Sequence, residues 1–241
     1  MPESGAKEPD PRRVLWFRAP MDLGDWSMRA SDALERFLDR VAHWLMEAGS
    51  PATGACAEAL QGLRMSLPEG RTEMVRPGLG LPVLSHWPEA MMRVATMDAA
   101  LTGALVRLSP HLSWRQNPNY VRQPPSPEFL DGYGYAPIAG PDGVVPADIA
   151  VGVLLLAPEI LYPAHAHPAE EVYLVLDPAS RWWRKGEDWR EGIAGTAIHH
   201  PPGLPHAMQA GESPLCAIYV WRGDLATNAE LTLQRSPGGE R

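Results

Sequence analysis

Only two cysteines occur in the 241 residues, Cys56 and Cys216, and they stand far apart. That spacing matches no metal or redox motif, so each thiol is expected as a small core residue and cytoplasmic residence is the simplest expectation. Long apolar runs are also missing. The strongest, Ile149–Ala157, has the length of a strand and falls well short of the ~18 residues a membrane span needs. Positive charge is in deficit: 21 Lys and Arg face 29 Asp and Glu, a net charge of −8, which argues against nucleic acid or an anionic membrane surface as partner. There is no internal repeat. The segment Met1–Arg13 is polar, with prolines and charges, and lacks the apolar core of a signal peptide; it is expected to be a disordered tail (1–13). What is present is ordinary for a globular chain: 45% apolar residues.

Residues 14–110 read as a helical region. The positions Leu34, Phe37, Leu38, Val41 and Leu45 follow helical spacing, Ser31 is placed to cap that helix, and Gly49 followed by Pro51 stops it. A second helix is expected over about Thr53–Leu63. A third is expected over about Trp87–Leu108, starting at Ser85 with Pro88 in its first turn. Pro68–Pro82 is a Gly/Pro-rich connector. From Ser109 the character changes: eight prolines fall within the 37 residues from Pro110 to Pro146, a density that forbids regular helix or central strand. This stretch (111–149) also holds Trp114, Tyr120, Phe129, Tyr133 and Tyr135, so it reads as an ordered wrap that can close one mouth of the domain that follows. Short β-like runs come next, at Ala150–Leu156, Glu171–Leu176, Ser180–Arg184, Thr196–His199 and Leu215–Trp221, separated by turn residues as in an antiparallel jelly roll over 150–225. Residues 226–241 read as a C-terminal tail.

Five of the eight histidines lie between 165 and 206. His165 and His167 are two apart, so on a strand both rings leave the same face, and Glu171 and Tyr173 keep that parity. If Pro168 and Ala169 make only a short turn, the four side chains can converge. Downstream, Gly195-x5-Pro201-x-Gly203-x2-His206 supplies another imidazole after a turn-rich loop. Three histidines and one carboxylate suit a divalent transition metal with open positions: Fe, Mn, Zn, Ni or Co. His199 and His200 are neighbours on a strand, so at most one faces inward; both are assigned structural places at the rim. Glu170 has the opposite parity and is expected at the solvent or just behind the ligands.

These two segments resemble the two sequence motifs of the cupin barrels, His-x-His-x(3,4)-Glu-x6-Gly and Gly-x5-Pro-x-Gly-x2-His-x3-Asn. Ala210 stands at the place of the final Asn, and Asp177-Pro178 occupies the turn that closes the first motif. The resemblance implies a mainly β fold with a helical N-terminal region and a C-terminal double-stranded β-helix, the cupin jelly-roll barrel. Tyr162-x2-His165-x-His167-Pro-Ala-Glu-Glu171-x-Tyr173, Trp182-Trp183, Trp189, His206-Ala207 and Trp221-Arg222-Gly223-Asp224 further resemble the bacterial cupin-type dimethylsulfoniopropionate lyases. Those enzymes cleave a zwitterionic sulfonium carboxylate to dimethyl sulfide and acrylate. By this resemblance His165, His167, Glu171 and His206 hold the metal, Tyr173 is the base, and Tyr162 is a second pocket phenol. The plainer role for either tyrosine is strand packing. A sulfonium prefers the face of an aromatic ring, and Trp183, Tyr133, Tyr135 and Tyr120 are the expected substrate-side rings. Because Trp182 and Trp183 are adjacent, only one can face inward. Arg222 and Asp224 are expected to pair at the barrel edge.

The same centre also suits sugar isomerisation or dioxygenase chemistry, and a barrel with a helical extension suits a non-catalytic sensor of metal or small molecules. The expected partner is a small zwitterionic or carboxylate substrate, with neither nucleic acid nor membrane involved. Cupin barrels often pair edge to edge, which allows a homodimer.

Overall fold

The computed structural model describes residues 30–67, 80–178 and 180–232. The expected tail at 1–13, most of the 68–82 connector and the final nine residues lie outside them. Among the described residues, no helix is long and apolar enough to cross a membrane.

Four helices form a layer: α1 (Ala30–Glu47), α2 (Pro51–Ser66), α3 (Trp87–Met97) and α4 (Ala99–Leu108). The predicted apolar stripe of α1 is its buried face, Leu34, Phe37, Leu38, Val41 and Leu45 included. Ser31 lies inside the helix rather than capping it, since α1 already begins at Ala30. Gly49, at φ 70°, ends it in the left-handed conformation that favours glycine. Ser50 then starts α2 with a reciprocal cap: its side chain accepts from the Thr53 amide while the Thr53 hydroxyl accepts from the Ser50 amide.

The single helix expected over 87–108 is two. The chain breaks at Asp98, which adopts an extended conformation (φ −152°, ψ 97°) and caps α4 by accepting from the Leu101 amide at 2.9 Å. Its other oxygen accepts from Arg40 Nε (2.7 Å) and Trp44 Nε1 (2.9 Å) on α1. Helical spacing runs unbroken across this point, so the break comes from a tertiary network and not from periodicity.

The remaining strands build two antiparallel sheets. One runs β1 (Tyr133–Ala139), β2 (Ala150–Leu156), β9 (Leu215–Arg222), β4 (Glu170–Val175), β7 (Ala197–His200); the other runs β10 (Glu230–Leu231), β3 (Leu161–Ala166), β8 (His206–Ala210), β5 (Ser180–Arg184), β6 (Arg190–Glu191). They close as a jelly roll. β1 lies within the stretch read as a wrap, and it is an edge strand whose register shifts just after Pro137. A proline is tolerated there because the missing N–H faces no further strand. β10 lies within the expected tail and pairs with β3. The wrap also holds the short helix α5 (Pro118–Arg122), capped by Asn117.

The first sheet is buried on both faces, which is why its strands read as continuous apolar runs. Val151, Val153 and Leu155 of β2, Val172 and Leu174 of β4, and Cys216, Ile218 and Val220 of β9 join the helical layer in one core. The alternate residues, Leu154, Tyr173, Val175, Ala217 and Tyr219, form a second core inside the barrel with Tyr162, Trp182 and Met208. Cys56 and Cys216 are buried free thiols, as expected. Two contacts tie the helices to the barrel. Arg93 of α3 pairs with Asp177 in the β4–β5 turn, and Gly195 (φ 83°) lies against the Trp44 ring so closely that a Cβ would come within 2.7 Å of it.

Candidate metal centre

Cross-strand register assembles the site in rows. Ala150, Trp221, Glu171 and His200 are partners across β2, β9, β4 and β7; two residues along, Gly152, Tyr219, Tyr173 and Ile198 form the next row. On the facing sheet, His165 of β3 pairs with His206 of β8. His167 follows β3, and the short turn through Pro168 and Ala169 returns the chain to Glu171 on the same face. The parity read from the sequence is therefore realised by two strands and a tight turn.

Three of the imidazoles are oriented by the backbone. Nδ1 of His165, His167 and His206 lies 2.9, 3.0 and 2.9 Å from the carbonyl oxygens of Pro163, Ala169 and Leu204. A carbonyl can only accept, so each Nδ1 carries a hydrogen and it is Nε2 that points inward. Nε2 of His167 and of His206 each sits 3.0 Å from Glu171 Oε2. The donor atoms of His165, His167 and His206 lie within 4.8 Å of one another, and so do those of Glu171, His200 and His206. All five residues are buried.

The electrostatics fit a cation. Burial alone would raise the Glu171 carboxyl, but the surrounding imidazoles of His167, His200 and His206 outweigh it and hold the group well below the usual carboxylate range. Burial, then the neighbouring His206, pushes His165 well below the ordinary imidazole value, and the same two causes bring His200 down to about 4. A buried anionic carboxylate thus sits among inward-pointing ring nitrogens. His206 Nε2 and His200 Nδ1 are buried and lack hydrogen-bond partners, an uncompensated arrangement that a divalent cation would satisfy.

The site opens onto a cavity of about 110 Å³. Its walls include Tyr133, Tyr135, Tyr162, Tyr173, Tyr219 and Trp221; among the described residues no lysine or arginine lines it, and its charged groups are Glu171 and Asp142, the latter paired with Arg115 at 3.0 Å. Tyr162 stacks on His165 (4.1 Å, 7°). Burial pushes the phenols of Tyr162, Tyr173, Tyr133 and Tyr219 well above their ordinary value; for Tyr173 the nearby Glu171 carboxylate adds to it.

Some expected residues stand elsewhere. Of the tryptophan pair it is Trp182 that turns inward, beside Tyr173 (5.1 Å between centroids), whereas Trp183 is half-buried and off the cavity wall. Tyr120 is wholly buried behind Tyr162, whose hydroxyl it meets at 3.3 Å, and it packs on Phe129. Arg222 and Asp224 do not pair with each other. Arg222 reaches Glu170 at 3.6 Å, and Asp224 caps the turn at Ala226 and Thr227. Glu170, of opposite parity, bonds to His199 at 3.0 Å outside the cluster.

One residue stands apart from its expected place, and another, Tyr219, is not singled out by the sequence reading. His200 is not at the rim; it is buried, stacked on His206 (3.9 Å, 11°) and 3.8 Å from Glu171. Its parity follows from where β7 ends, which the flanking Pro201 hints at. Tyr219 shares the parity of Trp221, a signal available in the alternation of β9.

A jelly-roll barrel with inward imidazoles and a carboxylate on facing strands is the architecture of a cupin. Residues 58–217 match the dimethylsulfoniopropionate lyase family, and the chain belongs to that family. It is 31% identical over 159 residues to the dimethylsulfoniopropionate lyase DddQ of Ruegeria pomeroyi, covering 64% of this chain and 77% of that one. It is 30% identical over 152 residues to the putative dimethylsulfoniopropionate lyase DddL of Cereibacter sphaeroides, covering 61% of this chain and 62%, under two thirds, of that one. Among solved structures, DddQ of R. pomeroyi superposes with a TM-score of 0.61 at 27% identity, over 86% of this chain and 98% of that one.

Proposed function

We propose that this protein is a metal-dependent lyase that eliminates dimethyl sulfide from dimethylsulfoniopropionate, leaving acrylate. The supporting observation is the placement of Tyr173 in a phenol-lined cavity, on the same strand face as a carboxylate ringed by inward Nε2 atoms. His165, His167, Glu171 and His206 are assigned as ligands of a divalent transition metal. When bound, such a cation supplies a Lewis acid for the substrate carboxylate.

Burial and Glu171 disfavour the ionised form of Tyr173 and a cation held beside it would favour that form; as phenolate, Tyr173 takes the proton α to the substrate carboxylate. The released electron pair forms the Cα–Cβ double bond, and the Cβ–S bond breaks with its electrons going to sulfur, which leaves as neutral dimethyl sulfide. Tyr162, stacked on His165, fixes that ring and walls the pocket. The aromatic faces of the cavity wall suit the sulfonium end. The buried free thiols fit a cytoplasmic setting.

Headspace detection of dimethyl sulfide from metal-reconstituted protein tests this directly, with Tyr173→Phe as control. Release at enzyme-like rates, cut by at least about 100-fold in the variant, is expected for loss of a general base. No release from protein with metal bound rejects the substrate; full release from Tyr173→Phe rejects Tyr173 as base.

A further inference from the structure

The two oxygens of Glu171 face different partners. Oε2 lies 3.0 Å from Nε2 of both His167 and His206, whereas Oε1 accepts the indole N–H of Trp221 at 2.5 Å. An indole nitrogen can only donate, and a hydrogen bond to a buried carboxylate is charge-assisted and strong. The indole is itself fixed. It stacks on His167 (4.1 Å, 27°), and its backbone is register partner to Glu171 on one side and Ala150 on the other.

A carboxylate can coordinate a cation through one oxygen or both. We propose that Trp221 is a positioning residue that holds Glu171 to one-oxygen coordination, so that a coordination position stays free for the substrate carboxylate. The inference rests on the metal-centre reading above. With Oε1 engaged by the indole, the protein offers three imidazole nitrogens and a single oxygen. Without that hydrogen bond, Glu171 can rotate and bring Oε1 into the position the substrate needs. Trp221 thereby acts through Glu171 rather than on the reacting atoms, although its ring also forms part of the cavity wall.

Cobalt(II) titration followed by visible absorption tests this, on full-length wild type, Trp221→Phe and His206→Ala. Phenylalanine keeps an aromatic ring at this position and removes the indole N–H together with part of the ring's bulk. Wild type is expected to bind one Co²⁺ per chain. In Trp221→Phe, Oε1 is free to coordinate, so the variant is expected to show a changed Co²⁺ dissociation constant, an altered ligand-field spectrum and a blunted spectral response to added propionate. An unchanged dissociation constant and spectrum in Trp221→Phe overturns the role of Trp221 alone. If wild type binds no Co²⁺, or His206→Ala binds it equally well, the metal centre itself fails and this role with it. Should Trp221→Phe not fold, the indole N–H resonance of ¹⁵N-tryptophan-labelled wild type decides. Slow exchange with solvent in metal-free and Zn²⁺-loaded protein supports the bond to Glu171; free exchange overturns it.

Discussion

His206 belongs to both groups of donor atoms, and Glu171 meets it at 3.0 Å. Replacing either by alanine removes one donor and leaves the remaining lone pairs without their common partner. Glu171→Ala and His206→Ala are each expected to lose metal and turnover together, measured as metal per chain by elemental analysis alongside dimethyl sulfide release. Asp98 offers a second residue-scale test, away from the site. Burial would raise its carboxyl, but the Leu101 amide, Trp44 and Arg40 outweigh it and hold it below the ordinary value. A carboxylate depressed in the folded state contributes stability that is present above its unfolded value and lost as pH falls through the folded one. Unfolding midpoints of wild type are therefore expected to drop in acid, from about pH 4 downwards. Asp98→Ala should cost about 2–4 kcal/mol at neutral pH by denaturant unfolding and flatten that acid loss. His165, His167, Glu171 and His206 stand out in the sequence by type and spacing, and the fold places them close together with His200 among them. His200 does not stand out, because its neighbour His199 is chemically identical and only the end of β7 distinguishes them.

Among the elements, β2 and β9 carry a contact that the sequence does not advertise. Gly152 sits opposite Tyr219, and a Cβ there would come within 2.4 Å of both the Tyr219 hydroxyl and the Ala136 carbonyl oxygen. The phenol lies across the strand because nothing projects from it. Gly152→Ala is expected to displace Tyr219 toward the cavity, lower kcat/KM for dimethylsulfoniopropionate, and cost about 1–3 kcal/mol in denaturant unfolding; an alanine variant with wild-type kinetics would show that the ring has no bearing on the pocket. Strands β2, β4, β5, β7 and β9 were readable as short apolar runs bounded by turns. β3 and β8 were not read as runs, because polar site residues interrupt their alternation: His165 in the one, His206 and Gln209 in the other. The split between α3 and α4 was invisible for a related reason, since Asp98 breaks the helix only when Arg40 and Trp44 are there to receive it.

For the whole molecule, a metal that binds the folded chain and not the unfolded one must stabilise it. Added metal at about one hundred times its dissociation constant is expected to raise the unfolding free energy by about 2.7 kcal/mol, read as a higher midpoint that chelation reverses and His206→Ala abolishes. The effect should reach the helical layer too, because Arg93–Asp177 and the Trp44–Gly195 contact join that layer to the barrel. The sequence by itself determined the chemistry on offer: ligand types at strand parity, turn glycines, apolar runs long enough for a sheet covered on both faces, and a net negative charge that disfavours polyanions. Local spacing is enough for that, since parity along one strand is fixed by the pleat. Only the tertiary structure decided which of two adjacent rings turned inward, which histidine joined the cluster, and that Trp221 meets the back of Glu171. Each of these depends on register between strands distant in the chain, and a shift of one residue would reverse it.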